Sequence, residues 1–331
     1  MNNNLVKVND RLEFLNTFKA LLLIGMITGH ALMLIANSSP LIATYYKTYI
    51  NLITFSGFCF AFGFLYEMLY FQKDIKFIKA LLTFVKMISA FLISAVSYRM
   101  LIKPATISLL SILKILSLQD IPGYSEFLLA FALLSACAFA FALLPNKIKN
   151  SKSLIFSLLA LSILSALIFK TGVKSTLPAL FLGSVKFGAF PVIQYSFWFW
   201  LGVLYKRNLI SLNWLFTSIS LLFTASFLAF FISENHFPAR FSPSPLWIIG
   251  SAFPILLYLK ASLSLEKIKS KKHIYSFIQN LGENTLFHLL MSNIFLFILS
   301  TKIKTNSFTA LIIGILVIFI NSYLIWIIRK R

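Results

Sequence analysis

Lys19 and His30 are the residues in this chain whose types and spacing best suggest chemistry. They are eleven residues apart in RLEFLNTFKALLLIGMITGHALMLIA, which starts at Arg11, opens charged, and turns continuously apolar after Lys19. On a helix, eleven residues make three turns with a rise of about 16 Å, so both side chains fall on nearly one face. A cation at a membrane edge would then stand in line with an imidazole near mid-membrane. Ionisable groups at that depth are expensive and mark candidate functional sites. The others are Glu67, Lys86, Glu283 and His288, each with a satisfied structural role as its competing reading. Lys86 is expected to pair with a carboxylate or to line the bundle interior. No P-loop, dinucleotide-binding glycine fingerprint, zinc-protease helix or Cys/His cluster occurs. Cys59 and Cys137 lie within apolar runs and read as packing residues, so no metal is expected.

The elements that must position these groups follow from composition. Of 331 residues, 59% are hydrophobic and only 12% are charged. That balance is foreign to a water-soluble domain, and runs long enough to cross a bilayer recur throughout. The expected fold is all-α, a polytopic integral membrane helical bundle forming one domain over residues 1–331. About ten transmembrane helices are expected, near 18–36, 50–71, 77–96, 126–144, 153–169, 188–205, 214–232, 246–260, 284–300 and 308–328. The first run has basic residues upstream, as a signal peptide would, but its histidine and the spans that follow favour a retained anchor.

The formal charge of +21 sits mostly in short loops, which orients membrane helices and gives no reason to expect nucleic acid as a partner. Basic clusters within 7–19, 73–79, 147–152, 206–207, 260–272 and 329–331 would share one side, placing both termini in the cytoplasm and the chain in the inner or plasma membrane. Trp214 and Trp326 fall where an inner aromatic belt is expected and Trp247 where an outer one is. Between the spans, ISLLSILKILSL has leucines at helical spacing opposite Lys114 and reads as a helix lying in the interface.

The first span resembles that of the membrane acyltransferase-3 family. Arg11 matches an arginine, Leu15-Asn16 a leucine-aspartate pair, Lys19 a second arginine, and His30 the histidine that closes the motif. Asn16 thus replaces an acid, and Lys19 keeps the charge without the guanidinium's fork. Ser56-Gly57-Phe58, FPVIQYSFWFWLGVLYKR, RFSPSPLW from Arg240 to Trp247, and LGENTLFHLLMSN are similar to later family segments. In the last, Leu289 and Ser292 stand where tyrosine and histidine are usual; His288 and Asn293 are each one residue away.

The resemblance implies an O-acyltransferase moving an acyl group, usually acetyl, from acyl-CoA made in the cytoplasm to a hydroxyl of an extracytoplasmic carbohydrate, cell-surface or lipid-linked. Lys19, backed by Arg11, would hold the anionic nucleotide of acetyl-CoA or another acyl-CoA. The extended pantetheine arm is on the order of the 16 Å rise from Lys19 to His30. His30 would take the acceptor's proton or carry the acyl group. Asn16 and Ser56 would give polar support, Arg240, on an outside loop beside prolines, would contact the acceptor or the lid over it, and Gln194 and Trp198 would line its path beside Tyr195 and Trp200. Two other classes compete: a transporter or flippase coupled to protons through Glu67 or Glu283, and a non-catalytic subunit of a polysaccharide synthase.

Overall fold

A computed structural model describes residues 2–37, 40–71, 77–104, 107–168, 176–183, 190–266 and 272–330, with side chains from Leu12 onward except those of residues 168, 176, 177 and 272. Loop lysines of the charge pattern at 73, 76, 170, 174, 186, 267, 269 and 271 lie outside these residues, and so does the side chain of Arg11. The described chain is helical, with one isolated parallel bridge between Ala36 and Thr305.

In order, the helices are α1 (Asn2–Ile35), α2 (Leu41–Tyr66), α3 (Phe77–Ile102), α4 (Leu109–Leu116), α5 (Glu126–Ala142), α6 (Asn146–Lys149), α7 (Lys152–Ile168), α8 (Thr176–Leu182), α9 (Val192–Lys206), α10 (Trp214–Glu234), α11 (Pro245–Gly250), α12 (Ala252–Glu266), α13 (Lys272–Glu283), α14 (Thr285–Ser300) and α15 (Ser307–Lys330). A π-helical turn, Glu67–Phe71, continues α2. Six helical segments are long and apolar enough to cross a membrane: Leu12–Ile35, Leu41–Phe71, Phe77–Ile102, Trp214–Glu234, Pro245–Glu266 and Ser307–Lys330. A seventh would be the pair α13 and α14, bent by 83° at its junction. The runs expected at 126–144 and 153–169 form the 17-residue helices α5 and α7.

Residue contacts group the chain into two compact units. Unit 1 comprises residues 1–54, 100–102 and 255–331, with α1 packed along α13, α14 and α15. Two glycines allow this. A Cβ on Gly282 would stand 2.0 Å from the Asn16 carbonyl oxygen, and one on Gly314 would stand 3.1 Å from Thr28 Cα. Such close approach is how helices associate where lipid offers no hydrophobic drive.

Unit 2 comprises residues 55–99 and 103–254 and is built on α9, against which α5, α7, α8 and α11 pack. The far half of α2 also belongs to it. Here Gly63 lies on the Phe199 carbonyl and Gly202 on the Phe60 carbonyl, where a Cβ would come within 1.9 and 2.1 Å respectively. On α4, capped by Ser108, leucines 109, 110, 113 and 116 are exposed, as an interfacial helix requires.

Two expectations change. Lys86 does not line the interior: α3 turns that face outward with Leu81, Leu82 and Val85, and a lysine's long apolar stem tolerates such a position. Trp214 and Trp326 are exposed, but Trp247 is buried against Phe227, packing as core and not as an interface belt.

Candidate functional site

In unit 1 the single helix α1 carries Asn16, Lys19 and His30, so the expected register of lysine and histidine is present along a continuous axis. His30 is 8% exposed, and its Nδ1 lies 3.0 Å from Asn293 Oδ1 on α14. With the amide oxygen as acceptor, Nδ1 carries a proton. The protein therefore orients the imidazole from the side of Asn293. Within two residues on either side, the helix contacts are polar or tight: Thr28 Oγ1 is hydrogen-bonded to Tyr46 hydroxyl at 2.7 Å, and Gly314 packs beside Ala31.

At the other end of the segment α1 is pinned by α13. Gln279 Nε2 donates to the Glu13 carbonyl and to Thr17 Oγ1, each at 2.9 Å, and Tyr275 hydroxyl donates to the Glu13 carboxylate at 2.8 Å. Glu283 is the acid whose charge reaches Lys19, and it pairs at 3.4 Å with Arg329. Asn16 contributes its main-chain carbonyl to the Gly282 contact. The arrangement is a partly exposed cation midway along a helix whose buried end holds an oriented imidazole. The same unit contains His288, fully buried with no partner for either ring nitrogen. Its main-chain oxygen accepts from Asn321 Nδ2 at 3.4 Å.

The remaining expected residues, Ser56, Gln194, Trp198 and Arg240, all lie in unit 2. Ser244 caps α11, with Pro245 preset for its first turn, and the Ser244 N–H donates to the Ala239 carbonyl at 3.0 Å. That closure holds Arg240 in place. Its guanidinium lies 4.6 Å from the Phe241 ring centre and 5.5 Å from that of Phe190, within cation–π range. Burial pulls the guanidinium's pKa down while Tyr195, Glu126 and Tyr124 oppose the shift; it stays a cation.

Around this cation, polar atoms are left over. Arg240 Nε, Glu126 Oε2 and Gln194 Oε1 are all buried without a hydrogen-bond partner. Gln194 spends its Nε2 on the Leu182 carbonyl at 2.8 Å. Gly183, at φ +84°, brings its loop so close that a Cβ would meet Ser242 Oγ at 2.6 Å and Gln194 Oε1 at 3.3 Å. Tyr124 also adopts a left-handed backbone, φ +66°, a strained state for an aromatic residue and one that tends to persist at functional sites. Burial pushes its phenol pKa up to about 12.

The walls are aromatic: Phe55 stacks on Phe190 at 4.1 Å and meets Tyr195 edge-on at 4.6 Å. Ser56, next to Phe55, is fully buried with its hydroxyl unpartnered. Trp198 donates its indole N–H to the Ile248 carbonyl at 2.9 Å, which ties α9 to α11 and makes the ring a wall. Chemically, a cation, an acid, an amide and stacked rings suit a polyhydroxylated ligand.

Among the described residues no group of three His, Cys, Asp or Glu side chains could hold a metal ion. Sequence reasoning missed Asn293 as the partner of His30, and Glu126 and Tyr124 beside Arg240. The available signal for Asn293 was an amide deep within an apolar run. No protein-family model, no curated protein and no solved structure matches the chain.

Proposed function

We propose that the chain is an integral-membrane O-acyltransferase, taking an acyl group, acetyl by preference, from cytoplasmic acyl-CoA to a hydroxyl of a carbohydrate beyond the membrane. Its full topology is about ten spans with both termini in the cytoplasm of the inner or plasma membrane. The observation that carries this reading is the His30–Asn293 hydrogen bond on a helix that also bears Lys19. It orients an imidazole at membrane depth, three turns from a cation suited to an anionic nucleotide.

In the reaction the acceptor hydroxyl oxygen attacks the thioester carbonyl carbon while Nε2 of His30 takes its proton. The tetrahedral intermediate then expels CoA as thiolate, breaking the C–S bond, and the imidazolium returns the proton to that sulfur. Asn293 holds the ring through both steps, since its oxygen accepts from Nδ1–H in the neutral ring and in the cation. Lys19, with Arg11 preceding it by two turns, attracts the phosphates of the donor, and Asn16 and Ser56 lend polar support. The Arg240 cluster, with Gln194 and the rings of Phe190 and Trp198, supplies carbohydrate recognition.

Glu67 and Glu283, the acids a proton-coupled transporter would use, are each paired with an arginine. That weighs towards the transferase. Radiolabelled acetyl-CoA added to inverted membrane vesicles should deliver label to a carbohydrate fraction, and His30→Ala should abolish delivery while the protein keeps its size-exclusion profile in detergent. Undiminished transfer by that variant would overturn the assignment.

A further inference from the structure

We infer that unit 2 carries a separate phosphate-binding site at the junction of α2, α7 and α9. The α2 helix ends in the π-helical turn that begins at Glu67, a deformation frequent at functional sites. The Glu67 carboxylate is fully buried and lies 2.8 Å from Arg207 Nη2, just past the end of α9. Arg207, whose side chain is 9% exposed, donates from Nη1 and Nη2 to the Lys149 carbonyl at 3.1 Å each. The guanidinium is thereby fixed in direction, yet its Nε is buried with no partner.

These groups line a cavity of about 260 Å³ together with Asn150, Lys152 and Leu209. Glu67 neutralises Arg207, so Lys152 leaves the lining net positive, with an unspent guanidinium N–H and the Asn150 amide as further donors. A tetrahedral oxyanion satisfies such a set, because charge-assisted bonds from arginine and lysine to phosphate are strong. A cation is disfavoured, since the lining offers one carboxylate and that one is already paired. The volume is below the roughly 300–1,000 Å³ of sites that engulf drug-sized ligands, so the cavity takes a phosphate group and not a whole nucleotide. The phosphate could belong to an anionic lipid headgroup or to a soluble phosphate ester. This site stands apart from the acyl-transfer reading and would exist without it.

The test uses the full chain in phosphatidylcholine nanodiscs titrated with inorganic pyrophosphate by calorimetry. In parallel, native mass spectrometry of the detergent-solubilised protein follows retention of phosphatidylglycerol against phosphatidylcholine. Saturable pyrophosphate binding points to the soluble source and selective phosphatidylglycerol retention to the lipid; either supports the site if Lys152→Glu weakens it by about tenfold or more while Lys302→Glu, exposed in unit 1, leaves it unchanged. Glu67→Gln, which releases Arg207 from its acid, should tighten binding severalfold, an effect that a purely structural ion pair would not produce. Absence of saturable binding to both probes, or equal weakening by Lys152→Glu and Lys302→Glu, would overturn the inference.

Discussion

The buried polar groups of the two units obey different rules. In unit 1 the deep polar pair joins an imidazole to an amide, His30 and Asn293, 3.0 Å apart. In unit 2 the deep pair is ionic: Glu67 and Arg207, 2.8 Å apart and tied further to a main-chain carbonyl. A buried charge must be matched by its opposite and by extra hydrogen bonds, otherwise desolvation dominates. An imidazole held by an amide has no such obligation, whereas both members of an ionic pair are committed to each other. The contrast teaches where reactivity can reside in such a chain. On the proposed reading, chemistry belongs to the imidazole–amide pair, and architecture with electrostatic recognition to the ionic one.

The largest expected effect is on that division of labour. His30→Ala should lower acetyl transfer by about 10³-fold, the scale of a lost general base, with little change in the thermal melt of the detergent-solubilised protein. Arg207→Ala should do the reverse. It strands the Glu67 carboxylate in the interior and should cost about 3–5 kcal/mol of stability, read as an earlier melt. The double change Glu67→Gln with Arg207→Gln should recover much of that loss, because no uncompensated charge remains. Were the double variant as unstable as the single one, the pair would not be the cause, and the comparison would fail on its ionic side.

How much of this was visible in the sequence depended on range. Helices made of long apolar runs were legible because each run is local, and so was the common face of Lys19 and His30. The exposed leucines of α4 followed from spacing alone. The partner of His30 was not legible, since Asn293 is 263 positions away and nothing in periodicity pairs α1 with α14. Arg207 read as one more loop cation because charge counting ignores direction, and the buried carboxylate that claims it lies on another helix. Trp247 was misplaced for a related reason: a tryptophan at a helix end looks like a belt residue until a neighbour such as Phe227 covers it. Glu126 opens an apolar helix, and only the fold brings it beside Arg240.

Smaller effects sharpen the contrast within unit 1. Asn293→Leu keeps the size and apolar surroundings of the amide but removes the acceptor that holds Nδ1–H. Transfer should fall by about 10- to 100-fold, as expected when a reacting group loses its alignment, with the melt nearly unchanged. Asn293→Gln restores the acceptor on a longer arm and should recover part of the rate, which a packing role alone would not produce. The smallest expected effects separate the units by kinetic parameter. Lys19→Gln removes a charge that the donor's phosphates see before reaction, so the apparent KM for acetyl-CoA should rise by about two- to tenfold at nearly constant maximal rate. Arg240→Lys keeps the cation but loses the planar fork that spans several acceptors. It should lower the maximal rate of label transfer by a similar factor and leave the acetyl-CoA KM where it was, because in the proposed reaction the carbohydrate and not the donor meets that side chain. Measuring both variants across a donor titration in inverted vesicles decides the point: a shared rise in donor KM would place Arg240 with Lys19 on the donor's path and erase the distinction between the two units.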